Sequence, residues 1–191
     1  MKTIIKLFTV FSLIFFISCE NEAFIDESQS LTNNQRTKGD EDKGCETAYA
    51  FYEKGCFLDD DFKRWGWVIG PLNTEVFEYK EDKFLIYAGA GQCSTEKGDL
   101  IGTIHVEGVD GVLYIDYHIN PDSEYLFTET HLYVGSDKYP TLPNGKPTVA
   151  PGKYNYQHDL GDGASDDYYE IEIKDLSEDF YIIAHAVVCI K

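Results

Sequence analysis

The sequence predicts an all-β domain, an antiparallel β-sandwich or, as the alternative form, a partly open barrel, and three observations carry that expectation. From Cys45 onward apolar residues recur at every second position rather than at helical spacing. No stretch of about ten residues shows a helical pattern between credible caps. Gly, Pro, Asn and Asp interrupt the chain at short intervals, as expected for many short strands joined by turns.

Taken in order, residues 1–18 come first and read as a secretory signal. Lys2 and Lys6 precede an apolar run from Leu7 to Ile17 that is too short to span a bilayer, and Ser18 stands before Cys19. A cysteine at the cut predicts a lipoprotein, because the thiol receives the lipid; Phe16 occupies the position where such signals usually carry Leu. Residues 19–43 follow as an acylated tether. Between 20 and 43 only Ala23, Phe24, Ile25 and Leu31 are apolar, too few to bury a core. Glu20-Asn21-Glu22 resembles the acidic tag that Bacteroidetes lipoproteins use to reach the outer face of the outer membrane.

Residues 44–191 are expected to form one domain. The whole chain carries a net charge of minus 18; Lys2 and Lys6 contribute plus 2 of that, so the remainder stands at minus 20. Such a charge repels phosphate backbones, which argues against nucleic acid as a partner and leaves cations, cationic proteins and neutral sugars open. Four cysteines remain beyond Cys19, an even number in an exported domain, and predict two disulfides. Of the three possible pairings, Cys45 with Cys189 and Cys56 with Cys93 is favoured, since the first ties the start of the domain to its last strand. A cysteine zinc site is disfavoured, because no Cys-x-x-Cys pair occurs.

Strands are expected at 47–52, 65–69, 74–79, 83–88, 100–106, 112–119, 125–130, 131–134, 154–158, 168–174 and 180–190. Tyr114-Ile115-Asp116-Tyr117-His118-Ile119 alternates, so one of its faces is buried and the other wet. The same holds for Tyr168 to Lys174. Val109-Asp110-Gly111 and Pro143-Asn144-Gly145 supply turns with positive φ. The last strand is apolar on both faces and belongs in the middle of a sheet.

Six blocks in order carry a resemblance: Cys45-Glu46-Thr47-Ala48-Tyr49-Ala50; Arg64-Trp65-Gly66-Trp67, preceded by Lys63 where similar sequences carry Asn; Tyr87 to Cys93; Thr130 to Gly135; Val149 to Tyr154; and Ile183 to Cys189. Over Cys45 to Cys189 the chain resembles a β-rich domain that recurs in secreted and cell-surface proteins of Bacteroidetes and some marine bacteria. The resemblance implies a sandwich-like fold and an extracellular setting. It brings no activity with it.

Several constellations are candidates for function. His131, His158 and His185 would hold zinc or copper if brought together. Asp59 and Asp61, with Asp60 between them, and Asp162 and Asp166 in the run 159–167 offer oxygens for calcium, without the spacing of an EF-hand. Against these, the residues more simply form solvated acidic loops and singly satisfied histidines, so no cofactor is expected, with Ca or Zn as the alternatives. Trp65 and Trp67, two apart on an expected strand with Arg64 beside them, would present paired indoles to a sugar or a partner side chain. No nucleophile elbow, zinc-protease motif or phosphate-cradling loop occurs, and Ala88-Gly89-Ala90-Gly91 runs into Gln92-Cys93 rather than into a helix. The expected function is therefore that of a lipid-anchored binding or adhesion module for a glycan or protein on the cell exterior. A metal-dependent or hydrolytic enzyme and a structural envelope component are the alternatives.

Overall fold

The computed structural model describes residues 44–74 and 81–191. The expected signal, the expected lipidation position Cys19, the expected tether and the expected strand at 74–79, apart from Thr74, lie outside the described residues. The described strands are β1 (Cys45–Ala50), β2 (Ile69–Asn73), β3 (Glu81–Ala88), β4 (Asp99–Val109), β5 (Val112–Ile119), β6 (Tyr125–Gly135), β7 (Tyr156–Ala164), β8 (Asp166–Glu172) and β9 (Asp179–Ile190). All pairings are antiparallel, in the order β7-β6-β9-β1-β3-β4-β5-β8, and β2 joins the same edge of β9 that carries β1.

The domain is all-β, and of the two expected forms it takes the partly open barrel: one sheet curls until it nearly closes. A sandwich would need the sheet to break in two. It does not break because β1 bonds to β9 on one side and to β3 on the other, welding what would be the two halves. Expected strands 125–130 and 131–134 are one continuous strand, bent by a bulge between Phe127 and Glu129. The expected strand at 65–69 is not regular: before Ile69 opens β2, Trp67 makes an isolated bridge to Cys56, and Gly66 sits at φ 144. A Cβ on Gly66 would lie 2.4 Å from the Phe57 ring, so the close approach demands glycine. Asp110 and Gly111 both have positive φ and join β4 to β5 in a two-residue hairpin turn, as their sequence predicts.

Alternation fills the barrel. Leu113, Ile115, Tyr117 and Ile119 of β5 point inward, as do Tyr169 and Ile171 of β8. β1, β3 and β9 contribute the small side chains of Ala48, Ala50, Ala88, Ala184 and Ala186 to the same core, together with the larger Ile86, Phe180, Ile182 and Val188. A second cluster forms outside the barrel. There Tyr49, Tyr133 and Ile183 on the outer faces of β1, β6 and β9 are covered by Phe57, Trp67, Val68, Tyr139, Val149 and Tyr154 from the long connections.

Both expected disulfides are present. Cys45 and Cys189 are register partners across β1 and β9, and Cys56 and Cys93 pin the outer connection at 51–68 to the segment after β3. With sequence separations of 144 and 37, the chain-entropy model assigns them about 5 and about 4 kcal/mol.

Ser165 alone links β7 to β8 in the chain, and side chains of β6 and β7 meet those of β8. Thr130 of β6 donates its hydroxyl to the Asp167 carboxylate on β8, and the Tyr169 hydroxyl lies 2.7 Å from Thr130 Oγ1 and donates to the Thr130 carbonyl at 3.2 Å. His158 of β7 stacks on Tyr169 with centroids 4.4 Å apart and 6° between planes, and its Nδ1 lies 3.0 Å from Asp167. Burial raises the Tyr169 hydroxyl to about 12, so it stays protonated as a donor. Thr130→Val removes the hydroxyl that Asp167 accepts from and that Tyr169 lies against, leaving Asp167 with His158 and Tyr169 with the Thr130 carbonyl. It is expected to cost about 2 kcal/mol and to lower Tm by about 5 °C in a thermal melt, whereas Tyr168→Phe on the outer face should leave Tm unchanged.

Candidate functional site

Two regions outside the barrel concentrate polar and aromatic side chains. The first lies on the covered side. Register aligns Tyr49 of β1, His185 of β9 and His131 of β6 in one row on the outer face. The His185 ring is 4.8 Å from Tyr49, and its Nδ1 is 3.2 Å from Nδ1 of His131, so one nitrogen must carry the proton and the other accept it. Glu129 approaches the far nitrogen of His131 at 3.7 Å. Trp65 lies edge-on to Tyr49 at 5.3 Å, and the charge of Arg64 reaches His185 and Tyr49. His185 is 4 % exposed. Burial first, then His131 and Arg64, push its imidazole well below the ordinary 6.5; burial also lowers His131, against the pull of Glu129.

The three expected histidine ligands do not converge. His158 is the register partner of Thr130, whereas His131 is the next residue along β6, so the two-residue period puts them on opposite faces. His158 is engaged by Tyr169 and Asp167 instead. The acidic candidates are likewise apart. Asp59 and Asp61 are exposed around a 3-10 turn, while Asp60 accepts from Tyr139 at 2.6 Å and from Lys138. Asp162 is exposed on β7, and Asp166 is held by Ser165 and by His118 at 2.6 Å, contacts that lower its carboxyl. Among the described residues no group of three or more His, Cys, Asp or Glu is placed to hold a metal ion.

The expected indole pair is also rearranged. Trp67 is 1 % exposed and packs in the outer cluster against Phe51 at 5.2 Å, so it belongs to the core. Trp65 is half-buried and meets Trp67 edge-to-face at 5.8 Å and 76°. That arrangement leaves no flat double platform. Arg64 is exposed beside it.

The second region is the outer face of β3, β4, β5 and β8. The outer cluster draws no residue from β4, β5 or β8. Register orders the outward side chains there in rows: Glu107, Tyr114 and Glu170; Lys83, His105, Asp116 and Tyr168; Leu85, Thr103, His118 and Asp166. Tyr168 is 61 % exposed while its neighbour Tyr169 is 5 % exposed, which fixes the direction of the alternation on β8. His105 and His118 rings meet at 5.2 Å, and His118 is tied to Asp166. Tyr114, Tyr168, Glu107, Asp116 and Glu170 were not singled out from sequence. Their signal was the wet phase of two alternating strands, which acquires meaning only once β5 is known to pair with β8.

No family model matches the chain, and neither a curated protein nor a solved structure matches it.

The histidine row generates a pH prediction. Folded His185 and His131 bind protons less readily than in the unfolded chain, so their contribution is fully present above about pH 6.5 and is lost as pH falls below it toward the depressed folded values. Stability should decline between about pH 6.5 and 5, above the range in which carboxylates titrate, by at most about 1.4 kcal/mol per pH unit for His185. Thermal melts across that range should show the decline in the wild type and a shallower one in His185→Gln.

Proposed function

We propose that the domain is a binding or adhesion module, displayed outside the cell from the outer membrane by lipid on Cys19, and that its ligand face is the outer surface of β3, β4, β5 and β8. The observation that carries this reading is the asymmetry of the barrel exterior. One side is covered by the long connections, while the other presents Tyr168, Tyr114 and carboxylates in register with no outer cluster over β4, β5 or β8. A wall of exposed and half-buried aromatic and polar side chains on a rigid sheet presents preformed contacts and loses little entropy when a partner settles on it. The signal, the cysteine at the cut, the acidic residues after it and the two disulfides support an exported, anchored setting. The six-block resemblance to secreted and cell-surface β-rich domains points the same way.

The reading is tested with the full chain on cells. Cys19→Ser should move the protein from the membrane fraction to the medium or periplasm. The domain with Tyr114→Ala and Tyr168→Ala should lose retention on arrays of glycans and of cell-surface proteins while its Tm falls by no more than a few degrees. Equal retention of wild type and double variant on every probe would contradict the assigned face.

A further inference from the structure

Resting on that reading of the β3–β4–β5–β8 wall as the ligand face, we infer that its occupant is an extended cationic polypeptide segment, with Lys or Arg side chains at alternate positions. The outward acids of the wall are Glu107, Asp116, Asp166, Glu170 and Glu172, against Lys83 within it and Lys174 at its margin. Lys174 is spent on Glu172 at 3.2 Å, and Asp166 is spent on His118. What remains around the tyrosines is Glu107, Asp116 and Glu170.

Their placement suits a cation. Tyr114 lies in register between Glu107 on one strand and Glu170 on the other, and Tyr168 lies in register beside Asp116. Each tyrosine ring is thus flanked by carboxylates, the combination that holds an ammonium or guanidinium by ring face and ion pair together. Carboxylates only accept hydrogen bonds, and Lys and Arg only donate them.

The spacing suits an extended chain. Successive rows are two residues apart along the strands, about 7 Å, which is also the distance between same-side side chains of an extended peptide. A peptide lying along β5 and β8 would meet the Tyr114 row and then the Tyr168 row with residues i and i+2. Charge decides against the competing occupants: a chain of net charge minus 18 repels anionic polymers and a second copy of itself at this acidic wall.

The test uses the complete disulfide-bonded protein and a labelled peptide of about ten residues alternating Lys and Thr, with a Glu/Thr peptide of the same length as control, in fluorescence anisotropy. The basic peptide should bind, the acidic one should not, and binding should weaken as salt rises from about 0.05 to 0.3 M. Asp116→Asn with Glu170→Gln should weaken binding by about ten-fold at unchanged Tm, and Tyr168→Ala should weaken it several-fold without any change in charge. Asp59→Asn with Asp61→Asn removes the same charge from an exposed turn elsewhere and should leave binding in place. Equal weakening by that control pair would reduce the interaction to diffuse charge attraction and overturn the site. If the basic peptide fails while a neutral glycan binds in a Tyr168-dependent way, the cationic occupant is wrong and the ligand face stands; if no probe distinguishes wild type from the tyrosine variants, both are wrong.

Discussion

The joint between the two end strands governs this structure. A sheet that curls through β7-β6-β9-β1-β3-β4-β5-β8 brings β8 back toward β6 and β7, where the chain passes from β7 to β8 through Ser165 alone and side chains add hydrogen bonds across the gap. Thr130, Asp167, Tyr169 and His158 do so with hydrogen bonds and a stacked ring pair. Their position at the margin of the interior matters: Thr130 is buried and Tyr169 nearly so, and polar groups removed from water must find partners or cost free energy. Closure therefore satisfies the polar groups and completes the wall around Tyr117 and Phe127 at once.

From closure follows the division of the exterior. The convex face of β1, β9 and β6 carries apolar side chains, Tyr49, Ile183 and Tyr133, and so needs a cover. The connections at 51–68 and 136–155 supply it with Phe57, Trp67, Tyr139 and Tyr154, and the Cys56–Cys93 bridge fastens one of them. The convex face of β4, β5 and β8 alternates with Thr, His, Asp, Glu and Tyr and needs none. Its side chains thereby stay outside the apolar cluster, on a support made stiff by the ladders on both sides of β5.

Much of the fold was legible in the sequence because period-two alternation is a local signal. The segment Tyr114 to Ile119 states its own inward and outward faces, and Asp110-Gly111 states its turn. Closure into one sheet was less legible, since it depends on β1 bonding to both β9 and β3, a pairing of segments far apart in the chain. The disulfide between Cys45 and Cys189 was readable because few partners existed. The candidate site was hardly legible. Trp65 and Trp67 drew attention as rare, large residues, yet Gly66 lets the backbone press against Phe57 and turns Trp67 into core. His131 and His158 lie one register step apart on neighbouring strands, and that single step separates them across the sheet. The outward residues of β5 and β8 looked like ordinary solvent-facing positions until pairing placed them side by side.

A nearly closed sheet with a buried interior and one open wall makes the most direct claim about four tyrosines on two adjacent strands. Nitration of the native protein with tetranitromethane, followed by peptide mass spectrometry, measures each ring's access. Tyr168 should be modified first and Tyr114 next, while Tyr169 and Tyr117 stay unmodified until the protein is unfolded. Modification of Tyr169 or Tyr117 at the rate of Tyr168 in the folded protein would contradict both the closed seam and the open wall.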